Sequence, residues 1–469
     1  MLRIQTDNKF NRLIAEAAAH HKAGRLCEAE ASYLAALAIA PGHPAIIHNL
    51  GVIAAAQGRQ DAAIARFDEV IAREPSYVSA HYNRAAALHA LGRTRDAIKG
   101  FSRACSLEPG HYEAHRALGF LWLSEGERGR SLDHFARTYE LRRGEDRLDW
   151  DARSLTHATR DKLKHDAEQF RFLAERRRDR SRFAGLAQAY ETVATNFPEQ
   201  PTRLSNQQLE LLGSDYNTAI AIADAPELAD RAVSERPDAE NLVRRFAEAP
   251  TGAVYFDDLL TPRALFALRR YLLESTIWHD FSHIGGFVAS YLEDGLACPL
   301  ILQIADELRA AFPDLLADHP LSQAWAFKAL RADSAVDVHA DDAAISVNFW
   351  VTPTQANLDP DRGGLSVCRA PPPDDWEMRG YEVDRERIVL FLAQNAADNL
   401  IVPYRENRAV LFESRLFHQS DQPIFDLRYE NHRINLTLLF GRHTRQRDYE
   451  NFRPPAEITQ TGPIPKLTQ

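Results

Sequence analysis

Between residues 24 and 135 the chain returns to the same residue types every 34 positions. Gly24, Gly58, Gly92 and Gly126 form one such family, and Pro41, Pro75 and Pro109 a second. Ala29, Ala63, Ala97 and Ser131 form a third, and Tyr33, Phe67, Phe101 and Phe135 a fourth. A period of this length, kept by several residue types at once, argues against one irregular domain over the stretch. It predicts stacked helical hairpins, each burying its apolar face only against its neighbours. In such hairpins Gly and Ala let two helices approach closely, the aromatic fills the space between hairpins, and Pro ends the second helix. The fourth unit has Arg143 where Pro would fall, as suits a terminal unit.

These positions resemble the tetratricopeptide (TPR) repeat, with units near 10–43, 44–77, 78–111 and 112–145. The resemblance implies an all-α solenoid over 10–145 whose concave face grips a protein or peptide segment.

Composition narrows the alternatives. A balance of 56 basic against 66 acidic residues, formally −10, gives no global reason to expect nucleic acid or an anionic membrane as partner. Cys27, Cys105, Cys298 and Cys368 lie far apart without CxxC spacing, fit a reducing compartment, and read as buried small apolar residues. The opening residues lack a secretory pattern, and no run of about 18 apolar residues occurs. The expectation is a soluble cytoplasmic protein.

From 146 to 250 the pattern weakens. Leu163, Ala167, Phe170 and Ala174 sit at helical spacing, and "FAGLAQAYETVATNFP" reads as another helix stopped by Pro198. These are expected to cap the solenoid, with a polar linking region after them. Arg176, Arg177, Arg178, Arg180 and Arg182 are interrupted by Glu175 and Asp179 and read as a solvated helix face.

Near residue 251 the grammar changes. In "GAVYFDDLLTPRALFALRRYLLES" a short apolar strand meets Thr261 as N-cap, Pro262 at the first helical position, and an amphipathic helix. Strand-like runs follow: "SQAWAFKALR", "AAISVNFWVT", "GGLSVCRA", "NLIVPY", "NRAVLFES" and "RINLTLLFG". Many short strands after a helical start predict an α+β or barrel-like domain over 251–445, with a tail at 446–469.

Within "DVHADDAAISVNFWVTP", His339 and Asp341 are two apart, so on a strand an imidazole and a carboxylate point to one side. Alone the triplet reads equally as a polar turn. Downstream, "NRAVLFESRLFHQSDQ" runs an apolar strand into His418, and "RINLTLLFG" opens with Arg433. On that last strand Ile434, Leu436, Leu438 and Phe440 share one face, and Arg433, Asn435 and Thr437 the other. An arginine inside a barrel needs an anion. Two histidines and one carboxylate match the facial triad of non-haem Fe(II) oxygenases, which leaves metal positions open.

HxD, a distal His and an Arg opening the last strand resemble the 2-oxoglutarate- and Fe(II)-dependent dioxygenases, in particular the prolyl-hydroxylase-like branch, over roughly 251–445. The resemblance implies a double-stranded β-helix (jelly roll, cupin). It would give His339, Asp341 and His418 to Fe(II) and Arg433 to the distal carboxylate of 2-oxoglutarate. Asn435, Thr437 and Asn348 become secondary co-substrate residues. Arg428 competes with Arg433, and His432 and His443 with His418, because "QSDQPIFDLRYENH" is longer than usual in this branch. Trp376 and Tyr381, in a Pro-rich loop beside the mouth, are substrate-contact candidates or packed surface. Gly285 and Gly286 flex over the site or form a turn.

The implied reaction consumes O2 and 2-oxoglutarate and oxidises a substrate C–H, most commonly to a hydroxyl. The competing reading is a non-catalytic TPR interaction scaffold with a structural or metal-binding cupin domain. A TPR-fused transferase would need a phosphate-cradling loop, and GxxxxGK[ST] is absent.

Overall fold

The computed structural model of the chain describes residues 2–442 except 146, 148–151, 249–251, 283–285, 333, 335, 337, 374–375, 377–384 and 397–398. It divides into two compact units, one holding the chain up to Pro109 and the other running from Gly110 to His443.

The first unit is three helical hairpins, α1 (Leu2–Lys22) with α2 (Leu26–Ile39), α3 (Pro44–Ala56) with α4 (Gln60–Arg73), and α5 (Val78–Ala90) with α6 (Thr94–Leu107). Pro41, Pro75 and Pro109 each lie two residues beyond the second helix of a hairpin. The glycines at 24, 58 and 92 do something other than the close approach expected of them. They adopt φ of +74°, +77° and +71° in the turn inside each hairpin, and an added Cβ at Gly24 or Gly92 would meet nothing within 4 Å. Their role is the left-handed turn, which any side chain would strain. Close approach falls instead to Gly51, where a Cβ would sit 2.6 Å from the Phe67 ring. Phe67 therefore fills the inside of its own hairpin, whereas Tyr33 packs as expected between hairpins, its hydroxyl accepting from Asn49 of α3 at 3.2 Å and its ring beside Ile46 and Leu50.

The second unit opens with a fourth hairpin, α7 (Tyr112–Ser124) and α8 (Arg128–Arg143), where Gly126 (φ +77°), Gly119 and Phe135 repeat the same devices. Arg143 has a positive role there. It is 2% exposed, its guanidinium grips Asp294 through two 2.9 Å bonds, and a third arm donates to Ser154. Such a fork needs a planar cation, so proline's absence reflects a buried bidentate pair.

Next come α9 (Ala152–Thr156), a ribbon of β1 (His157–Ala158) and β2 (Thr202–Arg203), and a hairpin of α10 (Arg160–Arg176) and α11 (Arg180–Ala194). Then follow α12 (Asn206–Leu212) and α13 (Ala239–Ala247). The stretch expected to be a polar linker is part of the core. Ala223, Ala225, Leu228, Ala232 and Val233 are buried, and their backbone N–H groups donate to Ser275 (from Ala223), Gln303 (from Leu228) and Glu307 (from Ala232 and Val233). Those side chains satisfy backbone that burial would otherwise leave unpaired.

The remaining elements are β3 (Ala253–Phe256), α14 (Pro262–Glu274), β4 (Phe287–Tyr291), α15 (Pro299–Ala311), α16 (Pro313–Leu316), β5 (Leu321–Ala329), β6 (Ile345–Trp350) and β7 (Leu365–Cys368). They end with α17 (Arg385–Gln394), β8 (Asn399–Val402), β9 (Ala409–Glu413), β10 (His418–Ser420) and β11 (Ile434–Phe440). The Thr261 hydroxyl caps α14 by accepting from Ala264 N–H, with Pro262 at the first position. Two antiparallel sheets form, a six-stranded one ordered β3-β9-β6-β11-β5-β4 and a three-stranded one ordered β10-β7-β8. From β5 onward the chain passes back and forth between the sheets: β5 and β6 in the large one, β7 and β8 in the small, β9 in the large, β10 in the small and β11 in the large.

All residues of β6 and β11 are buried because both faces of the large sheet are covered. Ile434, Leu436, Leu438, Val347 and Phe349 pack with Leu268 and Leu272 of α14 and Ile301 and Ile304 of α15. On the other face Trp350, Val410 and Phe412 meet Leu365, Val367 and Val402 of the small sheet. Each such side chain contributes about 1.5–3 kcal/mol through burial.

Of the two readings of the Gly pair, the turn is the one seen at Gly286. "FVASY" after the Gly pair is the edge strand β4, with Gly286 at φ +72° in the turn before it; Gly285 lies outside the described residues. Of the cysteines, Cys298 and Cys368 are buried as expected, Cys105 is half-buried and Cys27 exposed; all four are free thiols. No helix among the described residues is long and apolar enough to cross a membrane.

Candidate metal centre

His339 and His418 lie 79 positions apart in sequence, and a single antiparallel bridge brings them side by side. Their backbones exchange two hydrogen bonds, of 3.0 and 2.9 Å, and their rings sit 4.2 Å apart. The HxD triplet is thus an isolated bridge rather than part of a regular strand. Asp341 is aimed by its own N–H, which donates to the Ser414 carbonyl at 2.8 Å. One ligand atom from each of His339, Asp341 and His418 lies within 4.8 Å of the others, the only such group of three or more His, Cys, Asp or Glu among the described residues. The Asp341 oxygens are 3.7 Å from His339 Nε2 and 3.6 Å from His418 Nε2.

Local chemistry prepares these groups for a cation. Burial first, then the neighbouring His339, pulls the His418 pKa down to about 4, so its imidazole is neutral at pH 7. Its Nδ1 is 3.0 Å from the Leu416 carbonyl, a pure acceptor, so Nδ1 carries the proton and Nε2 keeps its lone pair. The Phe412 ring, 4.7 Å away and edge-on, limits the rotation of this imidazole.

The three groups open onto a pocket between the sheets, about 430 Å³ of empty space when its solvent-open mouth is counted. Its walls include Trp325 and Phe327 of β5, Asn348 of β6, and Asn435 and Thr437 of β11. Strand register explains the grouping, because Thr437 pairs with Asn348 on one side and Trp325 on the other, and Asn435 with Phe327. Arg433 also lines the cavity. It is 3% exposed, its Nε donates to the Gly363 carbonyl at 2.8 Å, and no carboxylate pairs with it among the described residues. Burial pulls its pKa down to about 10, so it is cationic at pH 7. Asn348 and Asn435 both point their amide nitrogens at Thr437 Oγ1, at 3.2 and 3.4 Å, while both amide oxygens are buried without a partner. The Thr437 hydroxyl hydrogen then remains available to a guest.

The competing residues go elsewhere. Arg428 is exposed and forks onto Asp426 at 3.0 and 2.7 Å. His432 turns to the opposite face of the sheet, 3.6 Å from Glu168 of α10. His443 and Tyr381 lie outside the described residues. Trp376 is buried against Phe391 and Phe417 and does not line the cavity, so of its two readings packing is the one observed. Sequence reasoning did not single out Trp325 and Phe327 as walls or Ser414 beside Asp341. The alternation in "SQAWAFKALR" held a signal for the first two, and Ser414, one residue past β9, offered none.

Comparison with known proteins reaches the repeats. The family model described as TPR repeat matches residues 53–92. Among solved structures, an O-GlcNAc transferase from Thermobaculum terrenum is 24% identical over 29% of this chain, with a TM-score of 0.27. This chain covers 27% of that transferase's length. A MamA fragment from Desulfovibrio magneticus RS-1 is 21% identical over 29% of this chain and 77% of its own, with a TM-score of 0.28. The first TPR of Spaghetti (RPAP3), bound to an HSP90 peptide, is 24% identical over 25% of this chain and 94% of its own, with a TM-score of 0.25. No curated protein matches the chain. The N-terminal helical array therefore contains TPR repeats, and it is joined in sequence to a domain of antiparallel sheets.

Proposed function

We propose that the chain is a 2-oxoglutarate- and Fe(II)-dependent oxygenase, a hydroxylase, whose TPR array recruits a protein or peptide substrate or partner. The observation that carries this reading is the convergence of His339, Asp341 and His418 at a pocket that also holds a buried arginine with no carboxylate partner among the described residues. The passage of the chain between sheets from β5 to β11 is the course a double-stranded β-helix takes, which supports the jelly-roll reading of this domain.

The residues fit the groups the reading requires. Two imidazoles and a carboxylate suit a divalent first-row ion and leave about half of an octahedron open. The Arg433 fork and the Thr437 hydroxyl suit the distal carboxylate of a dicarboxylic acid. The orphaned oxygens of Asn348 and Asn435 are satisfied by a donor on the guest, or by turning the amide so that its NH2 faces an anion. When bound, Fe(II) supplies the centre at which 2-oxoglutarate, O2 and a substrate C–H become succinate, CO2 and C–OH. This chain's residues hold and orient: His339, Asp341 and His418 keep the ion, Arg433 fixes the far end of the acid, and Trp325 and Phe327 wall out water.

The test is anaerobic loading with Fe(II), then 2-oxoglutarate and air, with succinate measured. Slow succinate formation without prime substrate is expected, abolished in His339→Ala. Protein that binds Fe(II) but turns over no 2-oxoglutarate with any peptide captured by its array would install the non-catalytic scaffold in its place.

A further inference from the structure

The Asp341 carboxylate is held from behind by two buried serines. Ser346 Oγ donates to Asp341 Oδ2 at 2.8 Å, and Ser346 Oγ lies 2.8 Å from Ser414 Oγ. Both serines are fully buried. A hydroxyl has one proton, and Ser346 has given its own to Asp341, so Ser414 must be the donor in the second contact. The result is a directed chain, Ser414 to Ser346 to Asp341, in which each bond polarises the next. The backbone ties its ends together, since the Ser414 carbonyl accepts from Asp341 N–H at 2.8 Å and Ser414 N–H donates to Ala344 at 3.1 Å. The short span from Asp341 to Ser346 thereby closes as a loop on the end of β9.

We propose that Ser346 and Ser414 are positioning residues that hold Asp341 as a single-oxygen metal ligand; this rests on the metal-centre reading above. A carboxylate with one oxygen committed to a hydroxyl presents the other. Without the hydroxyl, the carboxylate is free to rotate and take the ion with both oxygens, filling a position that an exogenous ligand needs. An apolar residue at 346 would also leave Oδ2 buried and short of a partner, a further cost to the site.

The experiment is a titration of the full-length apo-protein, under argon, with Fe(II) and separately with Co(II), comparing wild type with Ser346→Ala, Ser414→Ala and Ser346→Cys. Ser346→Ala should weaken binding of both ions by about 10–100-fold, the range for losing a partner of a metal ligand. It should also alter the Co(II) visible spectrum, whose intensity follows coordination number. Ser414→Ala, one bond farther away, should show the same spectral change with a smaller loss, and Ser346→Cys, a weak donor of similar size, should fall between wild type and Ser346→Ala. Thermal unfolding of each apo-variant identifies misfolding, in which case Ser414→Ala and Ser346→Cys decide. Wild-type affinity and spectrum in all folded variants would overturn the serine role alone. A wild-type chain that takes up neither ion would overturn the metal centre and the serine role together.

Discussion

The large sheet buries a basic side chain on each of its faces, and the two are treated differently. Lys328 of β5 pairs in register with Ile434, the neighbour of Arg433, yet Lys328 points to the helices and Arg433 to the cavity. Lys328 is 0% exposed; its Nζ has no hydrogen-bond partner and lies 3.3 Å above the Tyr429 ring and 5.6 Å from that of Trp278. Burial drives its pKa well below the usual lysine value, with Glu168 and Asp166 opposing only in part. Arg433 stays charged, has a carbonyl at its back and faces open space. Burial of a basic side chain alone therefore does not mark a site. What distinguishes Arg433 is a fixed charge lining a pocket with other polar groups, whereas Lys328 sits over the Tyr429 ring and near that of Trp278.

The comparison breaks most readily at the metal. His339→Ala or Asp341→Ala removes one of three ligands and should lower Fe(II) affinity by about 100-fold or more, measured by anaerobic titration. Urea midpoints should barely move. Retained metal content in both would erase the functional meaning of the cavity face. The opposite face should give the reverse pattern. Leu438→Ala, which opens a hole beneath α14 and α15, should cost about 2–5 kcal/mol of stability and leave iron affinity unchanged in protein that folds.

Arg433→Ala sharpens the contrast between the two basic residues. Truncating one partner of a buried charge-assisted pair costs about 2–5 kcal/mol, so the 2-oxoglutarate concentration for half-saturation should rise roughly 30-fold or more. Arg433→Lys should recover part of this, because charge returns without the fork. If Arg428→Ala had this effect and Arg433→Ala did not, the assigned anion partner would be wrong.

Much of this was legible because it rests on period. The 34-residue step located all four hairpins, and the alternation in "RINLTLLFG" divided β11 correctly into an apolar face and one carrying Arg433, Asn435 and Thr437. Features that rest on partners distant in sequence were hidden. Arg143 was visible only as a missing proline, since Asp294 lies 151 positions on. Trp376 in a Pro-rich loop gave no sign that Phe391 and Phe417 would cover it. A lysine in "SQAWAFKALR" ordinarily signals the solvent side of a strand, and nothing local announces that α10 and Tyr429 cover that face. The turn glycines were found for the wrong reason, because spacing identifies a required residue without saying whether φ or proximity requires it.

The smallest effect tests Lys328 directly. Its amine is held neutral over a pH range in which the unfolded chain's lysine, near 10.5, is still protonated. The unfolded state therefore binds more protons there, and stability attributable to this residue rises with pH from the depressed folded value up to the unfolded one. Lys328→Met keeps the length of the side chain and removes the titration. Replacing such a buried, poorly partnered basic group by an apolar one of similar volume is expected to be neutral to stabilising, by up to about 1–4 kcal/mol. The gain in the variant should be largest near pH 7 and shrink towards pH 9.5, read as the difference in urea midpoint between the two proteins so that titrating tyrosines cancel. Metal and 2-oxoglutarate affinities should be unchanged. A loss of 2-oxoglutarate binding in Lys328→Met would show that the two faces are coupled through β5 and β11, and that the two basic residues do not serve separate ends.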